Sequence, residues 1–130
     1  MNWQEFLDKA RSNLRVAERA LMDGEPDPSV SRAYYAVFHA AIAALLKLTD
    51  YRPKEQIWEH RVVAAEFSRR LIKRQKVFKS YLTHIIDDLR THRHQADYDS
   101  ETIGKKVAGQ SFRDAQKFVQ EVVNKLGGQP

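Results

Sequence analysis

The chain has 130 residues, 42% of them hydrophobic, and a formal net charge of +5 at pH 7. This length predicts one domain over residues 1–130 that buries a core without covalent staples. Because the sequence has no cysteine, disulfide frameworks and cysteine-ligated zinc sites are excluded. The basic excess is compatible with a polyanionic partner such as RNA. The first residues are amphipathic, contain acids and do not resemble a signal peptide, so we expect a cytoplasmic protein with no membrane association.

The first predicted helix begins with a capping box. Asn2 stands three residues before Glu5, and apolar residues then recur at spacings of three and four. This pattern predicts a helix over residues 3–22, which Gly24 is expected to end. Because the connection to the next helix is short, helices one and two are predicted to be antiparallel neighbours.

The second predicted helix is apolar on nearly every side. Asp27 followed by Pro28 is typical of a helix start, as cap and first turn, and the apolar stretch runs over residues 31–48. Two basic residues and a histidine interrupt this stretch, which makes it a poor bilayer span. A helix that is apolar all round must be covered all round. We therefore expect the central helix of a bundle, or a helix shared with a second copy of the chain.

The middle of the chain is strongly basic. After a loop that contains Pro53, a third helix is predicted from about residue 56 or 58 to Lys73. His60, near its start, is interpreted as a neutral imidazole bonded to a loop carbonyl. Between residues 52 and 79, nine basic residues outnumber three acids. Such a run is typical either of a phosphate-binding segment or of a solvated helix face.

Two further helices complete the predicted fold. The fourth follows a break near residues 74–75 and ends in the polar residues 87–99. Residues 100–109 are interpreted as a loop, after which the last helix begins near Gln110 and closes at residues 127–128. Five helices without a convincing strand predict an all-α, antiparallel up-and-down helical bundle.

Several enzyme signatures are absent from the sequence, namely GxxxxGK[ST], GxGxxG, HExxH and GxSxG. Their absence disfavours most nucleotide hydrolases and zinc hydrolases. His84, Asp88 and His92 lie four residues apart on one predicted helix face, a spacing compatible with a divalent metal. Exposed i,i+4 contacts explain the same residues, so we predict no metal site and no cofactor.

The polar end of the fourth helix holds the strongest candidate residues for a site. Arg90 and residues 92–94 are placed either to bind an anion or to complement the carboxyl-terminal helix dipole. Asp97 and Tyr98 also have a structural interpretation, as a cap for the helix and a cover for the bundle.

Three blocks of the sequence resemble the HEPN domain, in particular its small stand-alone prokaryotic members. They are RAYYAVFHAAIAALL in the second helix, His60 with Val63 and Phe67, and RHQADY from Arg93 to Tyr98. The resemblance implies an antiparallel helical bundle that usually dimerises, with a cleft at the dimer interface. It also implies a family that includes metal-independent ribonucleases, often toxins paired with an antitoxin such as a small nucleotidyltransferase, and non-catalytic RNA or nucleotide binders.

The ribonuclease members carry an arginine followed, after four to six residues, by a histidine. Neither Arg90 nor Arg93 has a histidine at those positions. Arg93 matches the motif arginine and would place a cation over the phosphate, while His94 or Tyr98 would have to act as the base. Because a tyrosine hydroxyl is a weak base at neutral pH, we predict binding rather than catalysis.

The leading hypothesis is an RNA- or nucleotide-binding homodimer that forms one component of a toxin–antitoxin or defence pair. The alternatives are a metal-independent endoribonuclease that uses Arg93 with His94 or Tyr98, and a protein-interaction module with no nucleic-acid role. Tyr34 and Phe38 are interpreted as core. The candidate binding residues lie at the polar end of the fourth helix or in the middle of the second: Arg90, Arg93, His94, Asp97, Tyr98, Tyr35 and His39.

Overall fold

The computed structural model describes residues 1–127, and within this range it contains five α-helices and no strand. The helices are α1 (Trp3–Met22), α2 (Pro26–Leu48), α3 (His60–Glu66), α4 (Tyr81–Tyr98) and α5 (Lys105–Leu126). A 3-10 turn, Lys54–Gln56, precedes α3, and a π-helical segment, Phe67–Arg74, continues it. The predicted all-α bundle is confirmed.

The capping box at the start of α1 forms as predicted. The Asn2 side-chain oxygen accepts the Glu5 N–H at 2.8 Å, and the Glu5 carboxylate accepts the Asn2 N–H at 3.0 Å. Two of the N–H groups that a helix start leaves unpaired are thereby satisfied. Gly24 follows the helix with φ of +75°, a left-handed conformation that glycine favours. Both predicted bounds of α1 are confirmed.

The start of α2 differs from its prediction. Glu25, not Asp27, is the N-cap, and Pro26 is the first helical residue. The Asp27 carboxylate instead accepts the backbone N–H of Ile103 at 2.8 Å. Asp27 thereby ties the segment before α5 to the first turn of α2, a long-range contact that local sequence does not indicate.

α2 is the central helix, as predicted. It packs against all four other α-helices and the π-helical segment, and its alanines from Ala33 to Ala44 are buried. Small side chains let the neighbouring helices approach closely. By length and composition α2 is the one described helix that could span a membrane, but 67% of its apolar window is buried inside the bundle. Such burial is expected of a core helix.

The third helix is less regular than predicted. The sequence predicts one helix from residue 56 or 58 to Lys73, whereas α3 begins at His60 and changes to π-helical geometry at Phe67. Glu55 and Gln56 have φ of +56° and +60°, so the 3-10 turn that contains them does not continue into α3. The apolar residues expected on this segment are buried: Val63, Phe67 and Leu71.

The basic run over residues 52–79 contains few ion pairs. Arg70 binds Glu66 at 2.6 Å and Asp50 at 3.0 Å, and Arg69 binds Glu66 at 2.8 Å. The other cations of the run form no ion pair within the described part of the chain. They are exposed, an arrangement that both the solvated helix face and the phosphate-binding segment predict.

α4 begins later than predicted. The sequence places its start just after residues 74–75, but the helix begins at Tyr81. Lys76 has φ of +54°, and the N–H groups of Val77 and Phe78 both donate to the Leu71 carbonyl, at 2.8 and 3.2 Å. This stretch is therefore a turn. The apolar face of α4 is buried: Leu82, Ile85, Ile86 and Leu89.

α5 begins earlier than predicted, at Lys105 rather than Gln110. The second half of the predicted loop over residues 100–109 is therefore helical. Ala108 and Gly109 of this half are buried, so packing against the bundle supports a helix where the apolar period is weak. Gly127 ends α5 with φ of +72°, and the other glycine predicted to close it, Gly128, lies outside the described residues.

Asp27→Ala should lower the free energy of unfolding by about 1–2 kcal/mol, because the Ile103 N–H loses a charged acceptor. Glu25→Ala is the matched control, since it removes the same charge from a side chain that makes no cap bond. This control should cost less than about 0.5 kcal/mol. Urea unfolding followed by circular dichroism measures both variants. Equal losses would show that charge at the helix start, rather than the Asp27–Ile103 bond, carries the effect.

Candidate functional site

Four aromatic side chains meet between α2 and the start of α3, and we call them the aromatic cluster: Tyr34, Tyr35, Phe38 and His60. The His60 ring stacks on Phe38 with centroids 4.2 Å apart and on Tyr34 at 5.4 Å. Tyr35 meets the His60 ring edge-on at 5.9 Å. The cluster forms because i,i+4 spacing puts Tyr34 and Phe38 on one face of α2, opposite the first residue of α3.

His60 makes a different hydrogen bond from the one predicted. Its Nδ1 lies 2.6 Å from the Tyr34 hydroxyl, not beside a loop carbonyl. Burial raises the pKa of Tyr34 to about 12, so the hydroxyl keeps its proton and donates it. Burial, with Arg93 and Arg90 nearby, lowers the pKa of His60 below its ordinary value. We therefore assign His60 as a neutral imidazole that accepts at Nδ1 and carries its proton on Nε2.

Arg93 lies against this cluster from α4. Its guanidinium carbon is 5.2 Å from the centroid of the Tyr34 ring and 5.9 Å from that of Tyr35, within the range of cation–π attraction. Nη1 donates to the Asp97 carboxylate at 3.3 Å, whereas Nε is buried and has no hydrogen-bond partner among residues 1–127. Only 17% of the side chain is exposed. The cation is thus held in place by the rings on one side and by Asp97 on the other.

The outer face of α4 carries an open groove of about 710 Å³, which we call the α4 groove. It brings together three of the predicted site residues, Arg90, Arg93 and His94. Its full lining is Asp87, Arg90, Thr91, Arg93, His94, Gln95 and Asp99. Arg93 therefore belongs both to the groove and to the contact with the aromatic cluster, and it links the two.

Asp97 and Tyr98 do not have the structural roles considered for them. Asp97 is bound to Arg93, and Asp99 stands at the C-cap of α4. Tyr98 is 69% exposed and so does not cover the bundle. Its ring lies 4.9 Å from that of His94, one of the residues that line the α4 groove.

His39 lies between α1 and α2 and does not line the α4 groove. Its Nδ1 is 3.2 Å from the Asn13 amide nitrogen, and its ring stacks on Phe6 at 6.0 Å. Burial, followed by the charge of Lys9, lowers the pKa of His39. The ring is 5.8 Å from that of Phe38 and 6.3 Å from that of Tyr35, so it adjoins the aromatic cluster through these two residues.

The histidine and aspartate series on α4 does not form a metal site. Within residues 1–127, no group of three or more His, Asp or Glu side chains is arranged to hold a metal ion. His92, one of the three residues considered, points to α5, where its Nδ1 lies 3.4 Å from the Ser111 hydroxyl. This contact joins α4 to the part of α5 that the sequence predicts as a helix.

Sequence reasoning missed two residues that adjoin the site, Tyr34 and His60. Tyr34 is buried, which agrees with its interpretation as core, but its hydroxyl and ring face also connect His60 to Arg93. Two signals point to them in the sequence. A buried tyrosine needs a partner for its hydroxyl, and His60 is one of the residues that carry the family resemblance.

A family model of the HEPN domain matches residues 3–126. The chain belongs to the HEPN domain family. The match contains the whole aromatic cluster and the whole α4 groove, and membership supports an RNA-related or nucleotide-related function. Among curated proteins, none matches the chain.

In this HEPN protein, the pKa of His60 should lie below the ordinary value of 6.5 and should rise towards it in Arg93→Ala. Removing the cation lowers the cost of protonating the imidazole. Histidine ring proton shifts, followed against pH by NMR, measure the change. Arg19→Ala is the control, because this exposed arginine pairs with Asp23 on α1 and should leave the titration unmoved. A His60 titration unchanged in Arg93→Ala would contradict the described contact between α4 and the cluster.

Proposed function

We propose that this HEPN protein binds RNA in the α4 groove, with Arg93 as its principal phosphate contact. The observation that carries the proposal is the position of the Arg93 guanidinium, packed on the rings of Tyr34 and Tyr35 and lining the groove at the same time. A guanidinium presents a planar set of donors that fits a phosphate. Because the rings already restrict it, less conformational entropy is lost on binding.

The remaining groove residues suit a nucleotide better than a free anion. Arg90 and His94 add donors beside Arg93, whereas Asp87 and Asp99 add acceptors. Carboxylates repel phosphate but accept hydrogen bonds from the N–H groups of bases, which include the ring N–H of uracil. A single-stranded RNA, whose base edges are free, offers both kinds of group.

The wider assembly follows from the family resemblance and is part of the proposal. We propose a cytoplasmic homodimer that works as one component of a toxin–antitoxin or defence pair, with a nucleotidyltransferase-type or other antitoxin as its partner. The open side of the α4 groove supports this assembly, since a second chain placed there would turn the groove into a cleft.

Arg93→Ala should weaken binding of a labelled single-stranded oligouridylate by about tenfold or more, because one charge-assisted contact to phosphate is lost. The slope of log affinity against log salt should fall by about 0.7. Fluorescence anisotropy at several salt concentrations measures both quantities. Arg19→Ala, which removes the same charge from α1, is the matched control and should bind like the wild type. Equal losses of affinity in the two variants would show that the effect comes from the net charge of the protein and not from a contact made by Arg93.

Asp97→Asn should tighten the same binding severalfold. The Asp97 carboxylate holds Nη1 of Arg93 at 3.3 Å, so a phosphate has to compete with it, and the amide competes less strongly. Anisotropy with the same oligouridylate measures the gain. Weaker binding in Asp97→Asn would mean that the carboxylate orients Arg93 for its ligand instead of competing for it.

A second candidate function, metal-independent cleavage of RNA, is favoured by one observation. Arg93 and His94 both line the α4 groove although they are adjacent on one helix, so a cation and a base can reach the same phosphodiester. In EDTA, an active enzyme should cleave a structured RNA pool, and Arg93→Ala and His94→Gln should each abolish cleavage. An intact pool after incubation with wild-type protein that binds it would leave binding as the function.

A further inference from the structure

A hydrogen-bonded pair, Tyr34 and His60, lies directly beneath Arg93. The Tyr34 side chain is 1% exposed, and its hydroxyl is 2.6 Å from His60 Nδ1. One face of the Tyr34 ring carries the Arg93 guanidinium at 5.2 Å. The position of the cation therefore depends on the position of a ring whose only described polar anchor is His60.

His60 is itself fixed from two directions. Its ring stacks on Phe38 at 4.2 Å with an interplanar angle of 17°, and its Nδ1 holds the Tyr34 hydroxyl. Its other nitrogen, Nε2, makes no hydrogen bond within the described residues and is not among the buried unpaired atoms. The imidazole is thus immobile but open to exchange of a proton with solvent.

The charges around His60 come from three helices. Two tyrosines and His39 face it from α2, and His39 also lies near Lys9 of α1. Two arginines face it from α4, and one of them is paired with Asp97. Arg93 and Arg90 act on both members of the pair. The complete set is Lys9, Tyr34, Tyr35, His39, Arg90, Arg93 and Asp97. The electrostatic potential at His60 is therefore positive, and the negative charge of a bound phosphate would offset it.

Resting on the function proposed above, we propose that the Tyr34–His60 pair positions Arg93, and that binding of a phosphodiester at Arg93 is accompanied by proton uptake at His60. By reciprocity, a proton on His60 strengthens the binding of RNA by the same factor. His60 is in this sense a positioning residue that acts through Tyr34 and Arg93, and it does not touch the ligand.

The proton balance of this step involves only the pair and solvent. In the free protein Tyr34 donates to Nδ1, and the imidazole proton is on Nε2. On binding, a solvent proton adds to Nδ1, and the direction of the hydrogen bond reverses, so that Nδ1–H donates to the Tyr34 oxygen. Tyr34 keeps its own proton, which rotates about the C–O bond out of this hydrogen bond, and no covalent bond other than N–H is formed.

The test is an NMR titration of His60 in the wild type, free and saturated with an oligouridylate of about eight nucleotides. Neither the phosphodiesters nor the bases of this probe titrate near neutral pH, so protons taken up belong to the protein. The pKa of His60 should rise by about one unit, and affinity should be about tenfold tighter at low than at high pH. Affinity is measured in a His94→Gln background, which removes the groove's own histidine.

Two variants separate positioning from proton uptake. His60→Asn places a carbonyl oxygen near the position of Nδ1, so it keeps an acceptor for Tyr34 but cannot take up the proton. It should bind as the wild type does at high pH and lose the pH dependence. His60→Ala loses the acceptor as well and should bind several-fold more weakly at every pH. Circular dichroism checks that both variants fold.

The outcomes distinguish this proposal from the function on which it rests. If the oligouridylate binds but the His60 titration does not move, or if His60→Asn keeps the wild-type pH dependence, the role of the pair is overturned while RNA binding stands. If the wild type binds no oligouridylate at any pH, the proposed function fails, and the coupling fails with it. A raised pKa of His60 in the complex, together with an affinity of His60→Asn that does not change with pH, supports both the RNA-binding function and the role of the pair.

Discussion

The burial of α2 on most of its surface is the constraint on which the rest of the structure depends. An apolar helix in the middle of the chain is stable only when other helices cover it, and α1, α3, α4 and α5 all pack against it. Each polar side chain on α2 must then find a partner inside the bundle. Ser29 donates to the Ala17 carbonyl at 2.7 Å, His39 lies 3.2 Å from Asn13, and Tyr34 donates to His60.

The pairing of Tyr34 with His60 belongs both to the core of the bundle and to the candidate site. Tyr34 and His60 satisfy each other, and together they form a rigid aromatic surface at the boundary between core and solvent. Arg93 lies on that surface while it lines the α4 groove. A half-buried neutral imidazole beside two arginines is favourable only while it stays uncharged. The core therefore holds a group whose protonation is sensitive to anything that changes the charge of the groove.

Irregular backbone shapes the surroundings of the site. The 3-10 turn and the left-handed residues Glu55 and Gln56 delay the start of α3 to His60, which puts that histidine at a helix terminus facing α2. At the opposite end of the fold, Asp27 fixes the segment before α5 through the Ile103 N–H. These features set the relative placement of the helices, although they contribute little buried apolar area.

The amino-acid sequence alone predicts the fold class, the bounds of α1 and the central position of α2, because apolar periodicity and capping residues are local signals. It also identified Arg90, Arg93 and His94 as a group, since neighbours on one helix end share a surface. The three-dimensional structure was needed to find that Asp27 binds Ile103, that α5 begins at Lys105, and that Tyr34 and His60 form a pair under Arg93. Each of these depends on contacts between residues far apart in the chain, and no local pattern encodes such contacts.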